Sequence, residues 1–259
     1  MLTQSTRRGA LIGPMVIAGV TMDSHVEKRL ARLGVKDSKL LSPKRREELA
    51  AKILEVTRSK GVSGNVVIPI PPCKIDGYRK NKINLNMIEV RAMAEIIDII
   101  GGDRVYIDAL TSRPERFKRV LMRQLQTKRA EDGIIAENKA DKKYTVVGAA
   151  SIIAKVERDR AIEEIKRKVN FDFGVGYPHD ERTVRFVEQL IRDSSKSGQP
   201  LPSYVRRSWA TTQEMEDGIG KEKLQRKLVD FLKRKLSPED CGKNRKKQEI
   251  KKIKTGKEK

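Results

Sequence analysis

The chain of 259 residues has little cysteine, no long apolar run and too little acid for its base. Two cysteines, Cys73 and Cys241, cannot build a disulfide framework or a structural zinc cluster, and their scarcity suits a reducing compartment. No stretch approaches the roughly 18 apolar residues that a membrane span needs. Residues 11–20, preceded by Arg7 and Arg8, imitate a secretion signal, but Gly13 and Pro14 interrupt them and no small-x-small cleavage pattern follows. A cytoplasmic protein with no membrane association is therefore expected. Fifty-seven Lys and Arg against 35 Asp and Glu leave a net charge of +22. With a pI near 10.0, a polyanion is the natural partner, nucleic acid first. The competing explanation for part of the excess is a heavily charged, solvated surface of the kind thermophiles carry.

At this length one large domain, or one domain with a small appendage, can bury a core without staples. Residues 15–22 read as a strand, and Ser42-Pro43 opens a helix with serine at the cap and proline at the first helical position. A second strand is expected over 62–70, a helix over 84–100 ended by Gly101-Gly102, and a short strand over 104–108. A helix over 114–125, a strand over 133–137 and a long helix over 146–168 follow. Alternating strands and helices argue for an α/β fold. From about residue 200 the texture changes. An amphipathic helix over 221–236 gathers Leu224, Leu228, Phe231 and Leu232 on one face. Residues 221–259 hold sixteen Lys and Arg against six acids. The last twenty residues have the composition of a disordered tail, able to hold phosphate by counterion release or simply to solubilise the chain.

Two acids stand where chemistry would want them. Asp108 ends the apolar strand Val105-Tyr106-Ile107-Asp108, and carboxylates at such strand ends often face the crevice of an α/β sheet, although a turn aspartate looks the same. Asp141 in Asn138-Lys139-Ala140-Asp141 precedes the long helix, where it also reads as a helix-initiating acid. Neither residue is specific alone. The run that follows, Val146-Val147-Gly148-Ala149-Ala150-Ser151-Ile152-Ile153-Ala154-Lys155, closely resembles the corresponding helix of ribonuclease HII, the type 2 ribonucleases H. Five other segments agree in order: Arg8-Gly9 with Ile12-Gly13-Pro14; Lys36-Asp37-Ser38-Lys39 with Pro43-Lys44-Arg45-Arg46; Tyr106-Ile107-Asp108-Ala109; Gly176-Tyr177-Pro178; and Val205-Arg206-Arg207-Ser208-Trp209. They span residues 7 to about 212, and the archaeal branch looks nearest.

The resemblance implies an RNase H-like mixed sheet flanked by helices over 1–200, a small C-terminal helical segment over 201–238, and a basic tail over 239–259. It implies an endonuclease that hydrolyses the RNA strand of RNA–DNA hybrids, cutting 5′ to ribonucleotides embedded in duplex DNA by two-metal-ion hydrolysis. Oxygen ligands select Mn2+ or Mg2+ for such work. Asp108 and Asp141 correspond to two of the four metal-binding acids. Arg8 and Gly9 correspond to the end of the family's Gly-Arg-Gly turn, and Tyr177 to the tyrosine at the RNA–DNA junction. Lys36, Ser38 and Lys39, with Lys44, Arg45 and Arg46, would serve the substrate, the basic ones its backbone. The family favours a monomer, and a replication clamp is a conceivable partner. His179 reads as incidental, Trp209 as a core or junction residue, and Cys73 has no base beside it in sequence.

One segment departs from the pattern. The family's first strand ends in Asp-Glu-Ala-Gly-Arg-Gly, whereas this chain reads Gln4-Ser5-Thr6-Arg7-Arg8-Gly9. Both acids are missing, the first glycine is Arg7, and the earliest acid in the chain is Asp23. Either a ribonuclease has lost its chemistry and kept its binding, or a reading-frame error lies just upstream of Arg8, where the match resumes abruptly. The polypeptide as written is expected to be weakly active or inactive, and a non-catalytic hybrid- or duplex-binding protein is the rival reading.

Overall fold

A computed structural model describes residues 2–5, 9–35, 41–58 and 64–235, with backbone alone for 2–5, 58 and 231–235. Contacts group the chain into two compact units, residues 1–212 and 213–259. The first is built on a five-stranded sheet with the order β3-β2-β1-β4-β5, where β1 is Leu2–Ser5, β2 Met15–Thr21, β3 Gly64–Ile70, β4 Val105–Asp108 and β5 Ile134–Glu137. The first three strands pair antiparallel, while β1–β4 and β4–β5 are parallel. At the β1–β4 seam the chain leaves toward opposite edges. Such a reversal opens a crevice at the strands' carboxyl ends, and Asp108 is the last residue of β4 there.

The pleat sorts the strand residues onto two cores. Val16, Ala18 and Val20 of β2 face one helical layer: α1 (Ser24–Arg32), α2 (Pro43–Arg58) and α7 (Thr145–Val169). Met15 and Ile17, with Val105 and Ile107 of β4, face the other, formed by α3 (Pro72–Lys80), α4 (Leu85–Ile100) and α5 (Pro114–Met122). Local chemistry sets the helix starts. Asn84 caps α4 by accepting from Met87 N–H at 2.9 Å, and Ser42 caps α2 by accepting from Arg45 N–H at 3.2 Å.

The first ten residues of α7 are buried on all sides. Their small side chains permit this: a Cβ on Gly148 would stand 3.1 Å from the Val35 carbonyl oxygen and 3.4 Å from that of Asp141. The glycine thus lets α7 lie tight beneath the segment that carries Asp141, so the apolar run of the sequence is also what places the acid.

Several elements go beyond the sequence-based expectations. The helices α1, α3 and α8 (Glu181–Ser197) were not anticipated, while the first strand that the family resemblance implies is present as the short β1. The helix expected over 221–236 begins eleven residues earlier, as α9 (Ala210–Lys235). In the second unit Leu224, Leu228 and Val229 are exposed on it. No described helix is long and apolar enough to cross a membrane.

Candidate active site

Asp108 lies on the α7 side of the sheet, on the same face as Tyr106, because Val105 and Ile107 point into the opposite core. Its partner in the β4–β5 register is Glu137, and the Ala109 N–H continues the pairing to the Glu137 carbonyl at 2.8 Å. From Glu137 the chain turns through Lys139, which adopts a left-handed conformation at φ 59°, into the one-turn helix α6 (Ala140–Lys143). The Ala140 N–H then donates to Asp108 Oδ1 at 3.2 Å. The structure thus brings the two sequence-predicted acids together, with the residue before Asp141 bonded to the carboxylate of Asp108.

Glu137 fastens the other side of this turn. Its carboxylate accepts from Lys143 Nζ and, at 3.0 Å, from the Tyr144 hydroxyl, whose ring packs 4.5 Å from that of Tyr106. The hydrogen bond from Lys143 foremost, then that from Tyr144, holds Glu137 below the usual carboxylate range. Asp141 has no comparable support. It is 1% exposed, and neither carboxylate oxygen has a hydrogen-bond partner among the described residues. A buried carboxylate so placed is costly unless a cation joins it. Oxygen donors from Asp108 and Asp141 suit a hard dication. Among the described residues, however, no cluster of three or more potential ligands forms.

The β1–β4 register sets the end of the central strand next to that of β4. Leu2 pairs with Tyr106 and Thr3 with Ile107, so the next step along the two parallel strands sets Gln4 beside Asp108. Residues 4 and 5, a glutamine and a serine, thus end the central strand at the edge where β4 ends in Asp108.

A second group of loops lies at this end of the sheet. Gly9 is exposed in the turn that follows β1. Leu11 and Ile12 donate through their N–H groups to the Gly176 carbonyl at 2.8 and 3.3 Å, which ties this segment to the turn bearing Tyr177. Tyr177 is 6% exposed, with its ring stacked against His179 and the Arg158 guanidinium 4.4 Å over its centroid. Arg8, Lys36, Ser38 and Lys39 fall outside the described residues. Of the α2 cluster, Arg46 is turned inward, donating to the Leu41 carbonyl at 3.0 Å and to Asp159 at 3.1 Å. Trp209 is partly buried between the guanidinium groups of Arg206 and Arg79.

Asp180 escaped the sequence reading, yet it shapes the Tyr177 turn. It accepts from Val175 N–H at 2.9 Å and from Arg182 N–H at 3.0 Å, capping α8. A Cβ on Gly174 would stand 2.0 Å from its carboxylate. The Val175 hydrogen bond, helped by those from Arg182, lowers the Asp180 pKa. A depressed folded-state value means the stabilisation is complete above the unfolded pKa and disappears as pH falls through the folded one. Asp180→Asn retains one acceptor for two donors and should cost about 1 kcal/mol near neutral pH. Urea unfolding should show that gap close at about pH 2, where the wild-type carboxyl is protonated; a gap independent of pH would contradict the assignment.

The strand order and the paired acids at the parallel seam define an RNase H-like α/β protein. A sequence model of ribonuclease HII matches residues 7–212, and the chain belongs to that family, the type 2 ribonucleases H. Ribonuclease HII of Thermococcus sibiricus is 42% identical over 229 residues, covering 88% of this chain and 95% of that protein. Among solved structures, ribonuclease H2 from Pyrococcus horikoshii superposes with a TM-score of 0.72 at 35% identity, over 85% of this chain and 97% of that one. The ribonuclease HII in a PCNA complex from Archaeoglobus fulgidus gives 0.68 at 39% identity, over 83% and 96%. The family match begins at residue 7, after Gln4 and Ser5.

Proposed function

We propose that this scaffold is an endonuclease for the RNA strand of RNA–DNA hybrids and for the 5′ side of ribonucleotides embedded in duplex DNA, and that the chain carrying Gln4 and Ser5 binds these substrates while cleaving them weakly or not at all. The observation that carries the reading is Asp141: a buried carboxylate, two oxygens without hydrogen bonds among the described residues, next to Asp108. Mn2+ or Mg2+ held there would neutralise charge on a scissile phosphate and acidify a water. The chain's own part is to fix the donors. Ala140 N–H orients Asp108, while Glu137, through Lys143 and Tyr144, holds the turn that aims Asp141. With a complete set of four acids the family's two-metal hydrolysis has its ligands; Asp108 and Asp141 alone provide for one ion.

Recognition is assigned to Arg8, Gly9, Lys36, Ser38, Lys39 and Tyr177, with the basic segment 239–259 holding phosphate without reading sequence. A replication clamp is a proposed partner, supported by the Archaeoglobus fulgidus complex and by the exposed Leu224, Leu228 and Val229. The setting we assign is a cytoplasmic monomer. Fluorescence anisotropy with the full chain tests the binding half: the hybrid and a DNA duplex with one ribonucleotide should bind more tightly than the same duplex in DNA alone. Equal affinity at every salt concentration would reduce the protein to a nonspecific polyanion binder.

A further inference from the structure

Two arginines inside the first unit donate to backbone carbonyls, Arg158 also pairing through Nη1 with its neighbour Asp159 at 3.2 Å. Arg206 is fully buried, and its Nε donates to the Gly13 carbonyl at 3.0 Å. Arg158, 7% exposed, extends from α7 and donates through Nη2 to the Val175 carbonyl at 2.6 Å. Withdrawing a guanidinium from water is costly. Burial indeed lowers the Arg206 pKa to about 10. Both guanidinium groups spend donors on backbone carbonyls inside the unit, so in a chain of net charge +22 these two cations do something other than attract nucleic acid.

Their acceptors show what. Gly13 and Val175 belong to the two loops already described, one following Gly9, the other leading to Tyr177. A third segment closes the group: Gly13 N–H donates to the Tyr204 carbonyl at 2.9 Å, Arg206 N–H donates to the Leu11 carbonyl at 2.8 Å, and Ile12 bridges Val205. Gly13 and Gly176 have φ of +88° and +80°. A Cβ on Gly176 would lie 3.2 Å from Arg158 Nη2 and from the Ile12 carbonyl oxygen, so loop, turn and guanidinium are in close contact. Arg158 also covers the Tyr177 ring.

We propose that Arg158 and Arg206 are positioning residues that lock the 9–13 loop to the Tyr177 turn, setting the spacing with which the pair reads a ribose 2′-hydroxyl. The inference rests on the recognition role proposed above for Gly9 and Tyr177. Two fixed loops can discriminate one hydroxyl; two loops free to drift apart cannot, even with every contacting residue present. Lysine keeps the charge but loses the planar fork of donors. Arg158→Lys and Arg206→Lys are therefore the informative variants, with Arg206→Met as the substitute should a buried ammonium unfold the protein.

The test has two arms, both on the full chain. In the first, anisotropy compares a DNA duplex carrying one ribonucleotide with the same duplex in DNA alone. Each variant should lose about tenfold of the preference, the scale of one well-made hydrogen bond, with affinity for plain DNA unchanged within about twofold. In the second, hydrogen exchange by NMR reads Leu11 and Gly13 amides against Ile17 and Ile107 in the sheet. The loop amides should exchange about tenfold faster while the sheet amides hold. Wild-type protein without any ribonucleotide preference would defeat the functional reading and, with it, the recognition role assigned to the arginines. Preserved preference in folded variants, or loop and sheet amides shifting together, would overturn the positioning role.

Discussion

Replacing Gln4 by Asp, Ser5 by Glu and Arg7 by Gly in one chain should raise Mn2+- or Mg2+-dependent cleavage of a ribonucleotide-containing duplex by about 10³-fold or more, since loss of even a single electrostatic group from a catalytic site costs 10²–10³. The expectation follows from the β1–β4 register, which places residue 4 beside Asp108 and residue 5 at the carboxyl end of the same strand. Acids there would join Asp108 and Asp141 around one volume and supply the two negative charges that a pair of dications requires. Gln4→Asp alone should restore little, because three acids still leave one ion short of ligands. Arg7→Gly removes a cation next to that volume in sequence and returns the freedom that a glycine turn uses. A triple variant no faster than the parent, in a protein that folds and binds the duplex, would show that the first strand is not where activity was lost.

Asp141→Asn should stabilise the metal-free protein while abolishing its response to metal. The wild-type carboxylate is buried and lacks hydrogen bonds among the described residues, so its charge is carried at a cost that neutralisation removes. The gain expected in chelator is about 1–3 kcal/mol, or a rise in Tm of roughly 2–4 °C for each kcal/mol in a chain of this size. Adding Mn2+ should raise the Tm of the wild type and leave that of the variant where it was. An Asp141→Asn protein less stable than wild type in chelator would mean that the carboxylate serves the fold rather than a cation. Such a trade of stability for function is common where binding sites gather like charges.

Much of the scaffold could be read directly from the residues. The β2 strand and the helices α4 and α7 declare themselves by their apolar pattern and α2 by its cap, Ser42, because these signals act within a few residues of chain. The pairing of Asp108 with Asp141 became legible only through family resemblance; the structure supplies its local cause in the bond from Ala140 N–H. The strand β1 was legible only through the family resemblance, being four residues long and held by neighbours on both sides rather than by any pattern of its own. Arg158 and Arg206 look like surface charges in a basic sequence, and only tertiary packing reveals them as buried. Asp180 likewise reads as one more polar turn residue until its acceptors are seen closing the Tyr177 turn and starting α8.

The most direct measurement is single-turnover cleavage of a labelled DNA duplex containing one ribonucleotide, with this unaltered chain at saturating Mn2+, beside the Thermococcus sibiricus relative. Tight binding of the duplex with cleavage at or near background is the result that Gln4 and Ser5 require. Cleavage at the relative's rate would contradict the account, since Asp108 and Asp141 would then suffice for chemistry that is assigned here to four acids.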